Sequence, residues 1–191
     1  MNHITLASAA DLIAWADRLD SEAQLPRLVR RLIHATAGGI THIGFPADES
    51  TRGPGYDGLL VAAQGSAHVP AGSSVWELST RTNPRGKATE DYDKRVADPR
   101  GVALKDTAYM AVTLRRCDGK DAWAQDRVSA GTWKDVRVFD ANDLEHWLEL
   151  APAVQLWLAT RLGRRPVGVL DVETFGADWC AATTPATTGE F

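Results

Sequence analysis

Cysteine is scarce in this chain. There are two, Cys117 and Cys180, far apart and with no CxxC pair, and the five histidines show no ligand spacing. A zinc-finger site and a disulfide scaffold are both excluded by that pattern, and two unpaired thiols fit a reducing cytoplasm. Positive charge is not in excess either. The net charge is -4, which rules out a protein that holds nucleic acid by overall charge and leaves only a local basic patch for that purpose. No apolar run reaches the roughly 18 residues of a membrane span, and "MNHITLASAADLIAW" has no signal-peptide pattern. The expectation is a soluble, cytoplasmic protein with no membrane contact. Neither a G-x-S-x-G elbow nor a P-loop is present, which leaves a small-molecule enzyme of those types without support.

What is there suits one domain with a tail. The chain has 191 residues, 44% of them hydrophobic and 24% charged, enough to bury a core. Seven tryptophans read as packing anchors. "SAADLIAWADRLD" predicts a helix capped by Ser8, and "SEAQLPRLVRRLIHATAGG" a second one ended by Gly38 and Gly39. Pro26 suits only a first turn, so the regular part of that helix is expected to begin near Gln24 or Leu25. Leu28, Val29, Leu32 and Ile33 form its inner stripe, and Arg27, Arg30 and Arg31 lie off it.

Three short strands follow, "ITHIGFP", "YDGLLVAA" and "SSVWELST", separated by glycine and proline. A polar helix between Pro84 and Pro99, the buried strand "TAYMAVTLRR", a short helix around Trp123 and the strand "KDVRVFD" come next. Two amphipathic helices close the pattern, capped at Asp140 and opened by Pro152, with Gly163 ending the second. The order predicts an α/β fold with a mixed central sheet flanked by helices and extra C-terminal helices. Residues 1–165 form the expected domain. Residues 166–191 end in "AATTPATTGEF", a linker composition that points to a downstream domain.

"GPGYDG", from Gly53 to Gly58, satisfies G-x-G-x-x-G, but it opens a strand rather than a helix, and Pro54 removes a donor, so a dinucleotide site is rejected. The carboxylates are more informative. Asp57 starts one predicted strand, and Glu77 lies inside the apolar run of the next. If those strands pair, the acids converge and resist joint ionisation unless a cation sits between them. Magnesium accepts such oxygens, polarises a phosphate and lowers the pKa of a bound water. The plainer reading makes Asp57 a turn residue and Glu77 a solvent-facing edge residue, but a purposeless acid among "VW" and "LS" is costly.

The run "LPRLVRRLIHAT", "YDGLLVAA", "VWELST", "KATEDYDKRVAD" and "AYMAVTLRR" resembles, over residues 21–115, the αβββαβ core of PD-(D/E)XK nucleases, the restriction-endonuclease-like superfamily. The pattern on to "WKDVRVFDANDLEHWLE", reaching about residue 165, resembles N-terminal nuclease-like effector domains of large bacterial proteins, some with a downstream STAND-type nucleotide-sensing ATPase, that act in phage defence. The resemblance implies a metal-dependent endonuclease cutting double-stranded DNA with low sequence specificity. Asp57, Glu77 and the carbonyl of Leu78 would bind magnesium, with manganese as the alternative ion. It also implies activation by oligomerisation and an NTPase or sensor domain as partner. In place of the motif lysine two residues after the glutamate stands Ser79, so Lys87, or else Lys94, becomes the substitute. Glu22, or Gln24 through its amide oxygen, is the candidate added ligand from the first core helix, unless it only favours the helix start.

Between Arg81 and Arg100 six basic residues stand against four acids. Arg81, Arg85, Lys94 and Arg95, with Arg30 and Arg31, are therefore candidate phosphate contacts, the alternative being that Arg95 and the helix arginines pair with their own acids. Tyr92 and Trp76 read as core, the helices of Trp147 and Trp157 as structural, and His146 is given no role. The rival overall reading is an inactive module of the same fold that binds nucleic acid or protein.

Overall fold

The computed structural model describes residues 6–46, 55–164, 175–176 and 179–181. The predicted tail segment "VGVLDVETF", the boundary at residue 165 and the Gly53–Pro54 pair lie outside them, apart from Phe175.

Helix α1 spans Ala9–Ala16 and is capped by Ser8 in a capping box with Asp11. Helix α2 spans Ser21–Thr36, so it begins a turn before the expected start and carries Pro26 inside. The proline costs the amide that would have bonded the Glu22 carbonyl. The helix forms regardless because its apolar stripe, Leu25, Leu28, Val29, Leu32 and Ile33, is almost wholly buried, and tertiary burial outweighs one lost bond near the N-terminus.

Strands β1 (Ile40–Gly44), β2 (Gly58–Ala62) and β3 (Gly72–Ser79) follow, then α3 (Pro84–Ala97), β4 (Thr107–Thr113), α4 (Lys120–Ala130), β5 (Asp135–Phe139), α5 (Ala141–Glu149) and α6 (Pro152–Arg161). The fold is α/β. Its five strands form one sheet in the order β1-β2-β3-β4-β5. The β1–β2 and β2–β3 pairs are antiparallel, as short connections allow, and the β3–β4 and β4–β5 pairs are parallel, each with a helical crossover. All seven residues of β4 are buried, as a central strand covered on both faces should be.

Two cores flank the sheet. Leu60, Trp76, Met110 and Val112 pack under α1, α2, α5 and α6, and Val75, Tyr109, Ala111 and Val136 pack under α3 and α4 with Tyr92 and Trp123. Trp15, Trp76, Trp133 and Trp147 are fully buried, as anchors should be, whereas Trp179 is exposed. Trp76 and Tyr92 belong to these cores. The cap at Asp140 accepts from the amides of Asn142, Asp143 and Cys117, tying α5 to the turn after β4. Among the described residues no helix is long and apolar enough to cross a membrane.

Candidate functional site

Asp57 and Glu77 are cross-strand neighbours. Gly58 pairs with Trp76 and Leu59 with Val75, and extending that antiparallel register by one residue sets Asp57 opposite Glu77, with both side chains on one face of the sheet. Strand alternation places Glu77 with Val75, on the α3 side, away from Trp76. "GPGYDG" does run into a strand: Gly58 is the first residue of β2.

The start of β2 leaves β3 open on one side just beyond Trp76. There the Asp57 side chain takes the place of a strand, and its Oδ2 accepts the amide of Leu78 at 2.7 Å. In a strand the amide and carbonyl of one residue point to the same neighbour. Ser79 uses its carbonyl toward the β4 side, accepting from Leu114, so the Leu78 carbonyl faces the open side with Asp57. Gly58 is required at this corner. A Cβ there would stand 2.2 Å from Cε1 of Phe45, whose ring packs edge-on against Trp76 at 5.7 Å between centroids.

Around the acids lies a cleft of about 350 Å³ between the first turns of α2 and the length of α3. Its wall brings together Glu22, Asp57, Glu77, Leu78, Lys87 and Lys94 of the expected site, with Arg81 and Arg95. Ser79 also lines it, in the place where the motif would have put lysine. Gln24 is buried and is not part of the lining. Arg85 is exposed and stands beside Gly119, outside the cleft. Arg30 and Arg31 lie further along α2, with Arg31 over the ring of Trp157. Arg81 is exposed, 3.9 Å from Glu90.

Arg95 requires a correction. It is not a surface phosphate contact but one of the most buried charged groups in the chain, at 3% exposure. Its Nε donates to Oε1 of Glu77 and its NH2 to the carbonyl of Gly55, and its guanidinium lies 4.4 Å over the ring of Tyr56. The open alternative, pairing with an acid of its own, is the arrangement found. Lys87 donates to Asp91 one turn along α3. Asp91, buried and lining the cleft, is placed by its spacing on one helix face with Lys87 and Lys94, but that spacing assigned it no role in the site.

Burial dominates the electrostatics. It pushes the Glu77 carboxyl up to about 7; the Arg95 hydrogen bond opposes the shift, and the negative charges of Asp57 and Asp91 add to it. Asp57 is also raised, first by burial and against the pull of the Leu78 amide. Among the described residues no ion pair reaches Asp57, so it is the carboxylate of this group without a cationic partner.

The donor set fits a hard cation in a limited way. Asp57 has Oδ1 left after the Leu78 amide, Glu77 has Oε2 left after Arg95, and the Leu78 carbonyl is a third oxygen. No group of three His, Cys, Asp or Glu able to hold a metal is assembled among the described residues. Two carboxylates suit magnesium or manganese, which keep much of their water, better than a fully caged ion such as calcium. Glu22 is exposed at the rim of the same cleft.

Comparisons with family models, with curated proteins and with solved structures find no match to this chain.

Proposed function

We propose that this chain is a divalent-cation-dependent endonuclease domain of restriction-endonuclease-like fold, hydrolysing phosphodiesters of double-stranded DNA with low sequence specificity. The observation that carries it is the placement of Asp57 and Glu77 opposite each other in the wall of a cleft that Lys87 also lines. The element order α2-β1-β2-β3-α3-β4 supports the fold assignment.

In this reading Asp57, Glu77 and the Leu78 carbonyl hold magnesium, or manganese in its place, with Glu22 at the rim. When bound, the ion supplies Lewis-acid stabilisation of the charge that develops on the phosphate. The chain's own groups do the rest. Lys87, positioned by Asp91, donates a hydrogen bond that orients the attacking water and offsets negative charge in the transition state. Lys94, one further turn along, is the alternative for that role. The water oxygen bonds to phosphorus as one ester P–O bond breaks; one water proton passes to solvent and the leaving alkoxide takes a proton from solvent, giving a phosphate monoester and an alcohol. Arg81 and Arg85 contact flanking phosphates without reading bases.

Two features favour the second reading, an inactive module of the same fold that binds nucleic acid or protein. Arg95 occupies one oxygen of Glu77, and Ser79 replaces the motif lysine. The resemblance to effector domains adds to the proposal a role in antiphage defence inside the cytoplasm, with oligomerisation as the trigger and a downstream NTPase or sensor domain as partner.

The test is plasmid nicking with magnesium or manganese, repeated with Asp57→Ala and Glu77→Ala. Metal-dependent cutting that both substitutions abolish supports the nuclease. Cutting that survives both overturns the site, and DNA binding without cutting selects the inactive module.

A further inference from the structure

Three arginines gather where α2 meets α6, and none has a carboxylate within ion-pair reach among the described residues. They are Arg30 and Arg31 on α2 and Arg161 at the end of α6. Other cations sit on acids, as Arg18 does on Asp20 and Arg115 on Asp17. From Ala23 to Thr36, α2 has no acidic residue. Helical spacing puts Arg27, Arg30, Arg31 and His34 opposite the buried stripe. In a chain of net charge -4, this face concentrates positive charge.

A second observation concerns Trp157. Its ring lies 4.7 Å from the guanidinium carbon of Arg31 and 5.4 Å from that of Arg161. Two guanidiniums are thus drawn to one aromatic ring, whose quadrupole attracts both. The ring fixes their position but does not cancel their charge. Both guanidinium forks stay on exposed residues, available for a bidentate anion.

The third observation is continuity. Glu22 and Pro26 line the cleft, and Arg30 is the next residue on that i,i+4 row, about 6 Å further along the helix axis. That step is under two nucleotide rises of a strand. A polyanion leaving the cleft past Pro26 would therefore meet Arg30 at the next step of that row, with Arg31 beside it.

We propose that the outward face of α2, together with Trp157 and Arg161 of α6, is a docking surface for the phosphate backbone of a nucleic-acid strand leaving the cleft. The assignment rests on the phosphodiester reading of the cleft, which accounts for the strand's other end. Guanidinium forks pair bidentately with phosphate, and the run of α2 out of the cleft is what favours a strand backbone over an isolated carboxylate. Trp157 is a positioning residue here: it acts through Arg31 and Arg161.

The test uses the full chain with Asp57→Ala, so that DNA is bound and not cut. Anisotropy of a short labelled duplex is followed from about 50 to about 200 mM salt. Arg30→Ala, Arg31→Ala and Arg161→Ala are each expected to weaken binding to every sequence and to reduce the salt slope by about 1. Trp157→Ala is expected to lower the slope as well, and Trp157→Phe to restore it. Slopes unchanged by the arginine substitutions overturn the surface, and so does competition by polyglutamate as strong as that by DNA. Failure of the hydrolytic reading looks different: a wild-type chain that binds DNA with the arginine-dependent slope but never cuts it keeps the surface and loses the nuclease.

Discussion

Arg95 donates through Nε to Oε1 of Glu77 inside the protein, where the two side chains keep only 4% and 7% of their surface. A buried ion pair is costly to break from one side, because the remaining charge has neither water nor partner. Arg95→Met is therefore expected to destabilise the fold by about 3–5 kcal/mol near pH 8. The loss should be smaller near pH 5.5, where Glu77 is protonated. Glu77→Gln combined with Arg95→Met should recover most of it. Urea unfolding at the two pH values checks this, and an equal loss at both would argue against Glu77 being the group exposed to the change.

The raised carboxyl of Glu77 also sets a pH dependence. Its ordinary value is 4.5 and its folded value about 7. Between them the folded protein holds a proton that the unfolded chain has released. The contribution of this group to stability therefore falls as pH rises through that window and is level above it. Asp57, also raised, acts in the same direction. Cation binding needs the ionised carboxylates, so affinity should climb with pH up to about 7 and then flatten. Melting temperatures across this range should fall with pH in chelator and stay nearly level in saturating manganese, which holds Glu77 ionised; an equal fall in both would remove Glu77 from the metal set.

Lys87 and Lys94 can be told apart. Lys87 is held by buried Asp91 at the cleft wall, whereas Lys94 is exposed with no such tether. Lys87→Ala should lower single-turnover cleavage by about 10²–10⁴-fold, and Lys94→Ala by much less. The comparison is made at temperatures where each variant is fully folded, since Lys87→Ala also leaves Asp91 unpaired. Reversal of the order would assign the role to Lys94.

Gly58 links packing to the site. A methyl group there meets the Phe45 ring at 2.2 Å, and that ring is packed edge-on against Trp76. Gly58→Ala should cost about 1–3 kcal/mol by overpacking. It should also weaken manganese binding, because Asp57 is the adjacent residue. Trimming the ring with Phe45→Leu in the same chain should return both, as read by denaturant unfolding and calorimetry. Stability restored without metal affinity would separate Gly58 from the site.

Much of the fold was legible because it rests on local rules. Ser8, Asp140, Pro152 and Gly163 mark helix ends as capping chemistry requires. Strand and helix periodicity identified the elements in their observed order. The start of α2 was misplaced because Pro26 was weighed as a local breaker, while the burial of Leu25, Leu28 and Val29 decided the matter. Arg95 was misread for the same kind of reason. In the sequence it is one cation in a charged helix, and nothing local says that it turns inward to Glu77.

By itself the sequence determined that Asp57 starts one strand and Glu77 lies inside the next, since that follows from hydrophobic alternation and turn residues. Only the tertiary structure decided that they face the same side and that the α3 residues Lys87, Asp91 and Arg95 close on them. The same is true of the arginines of α2 and α6, which share one tryptophan. Register and helix docking are fixed by packing between segments far apart in the chain, and one-dimensional spacing carries no information about which side of a helix meets which strand.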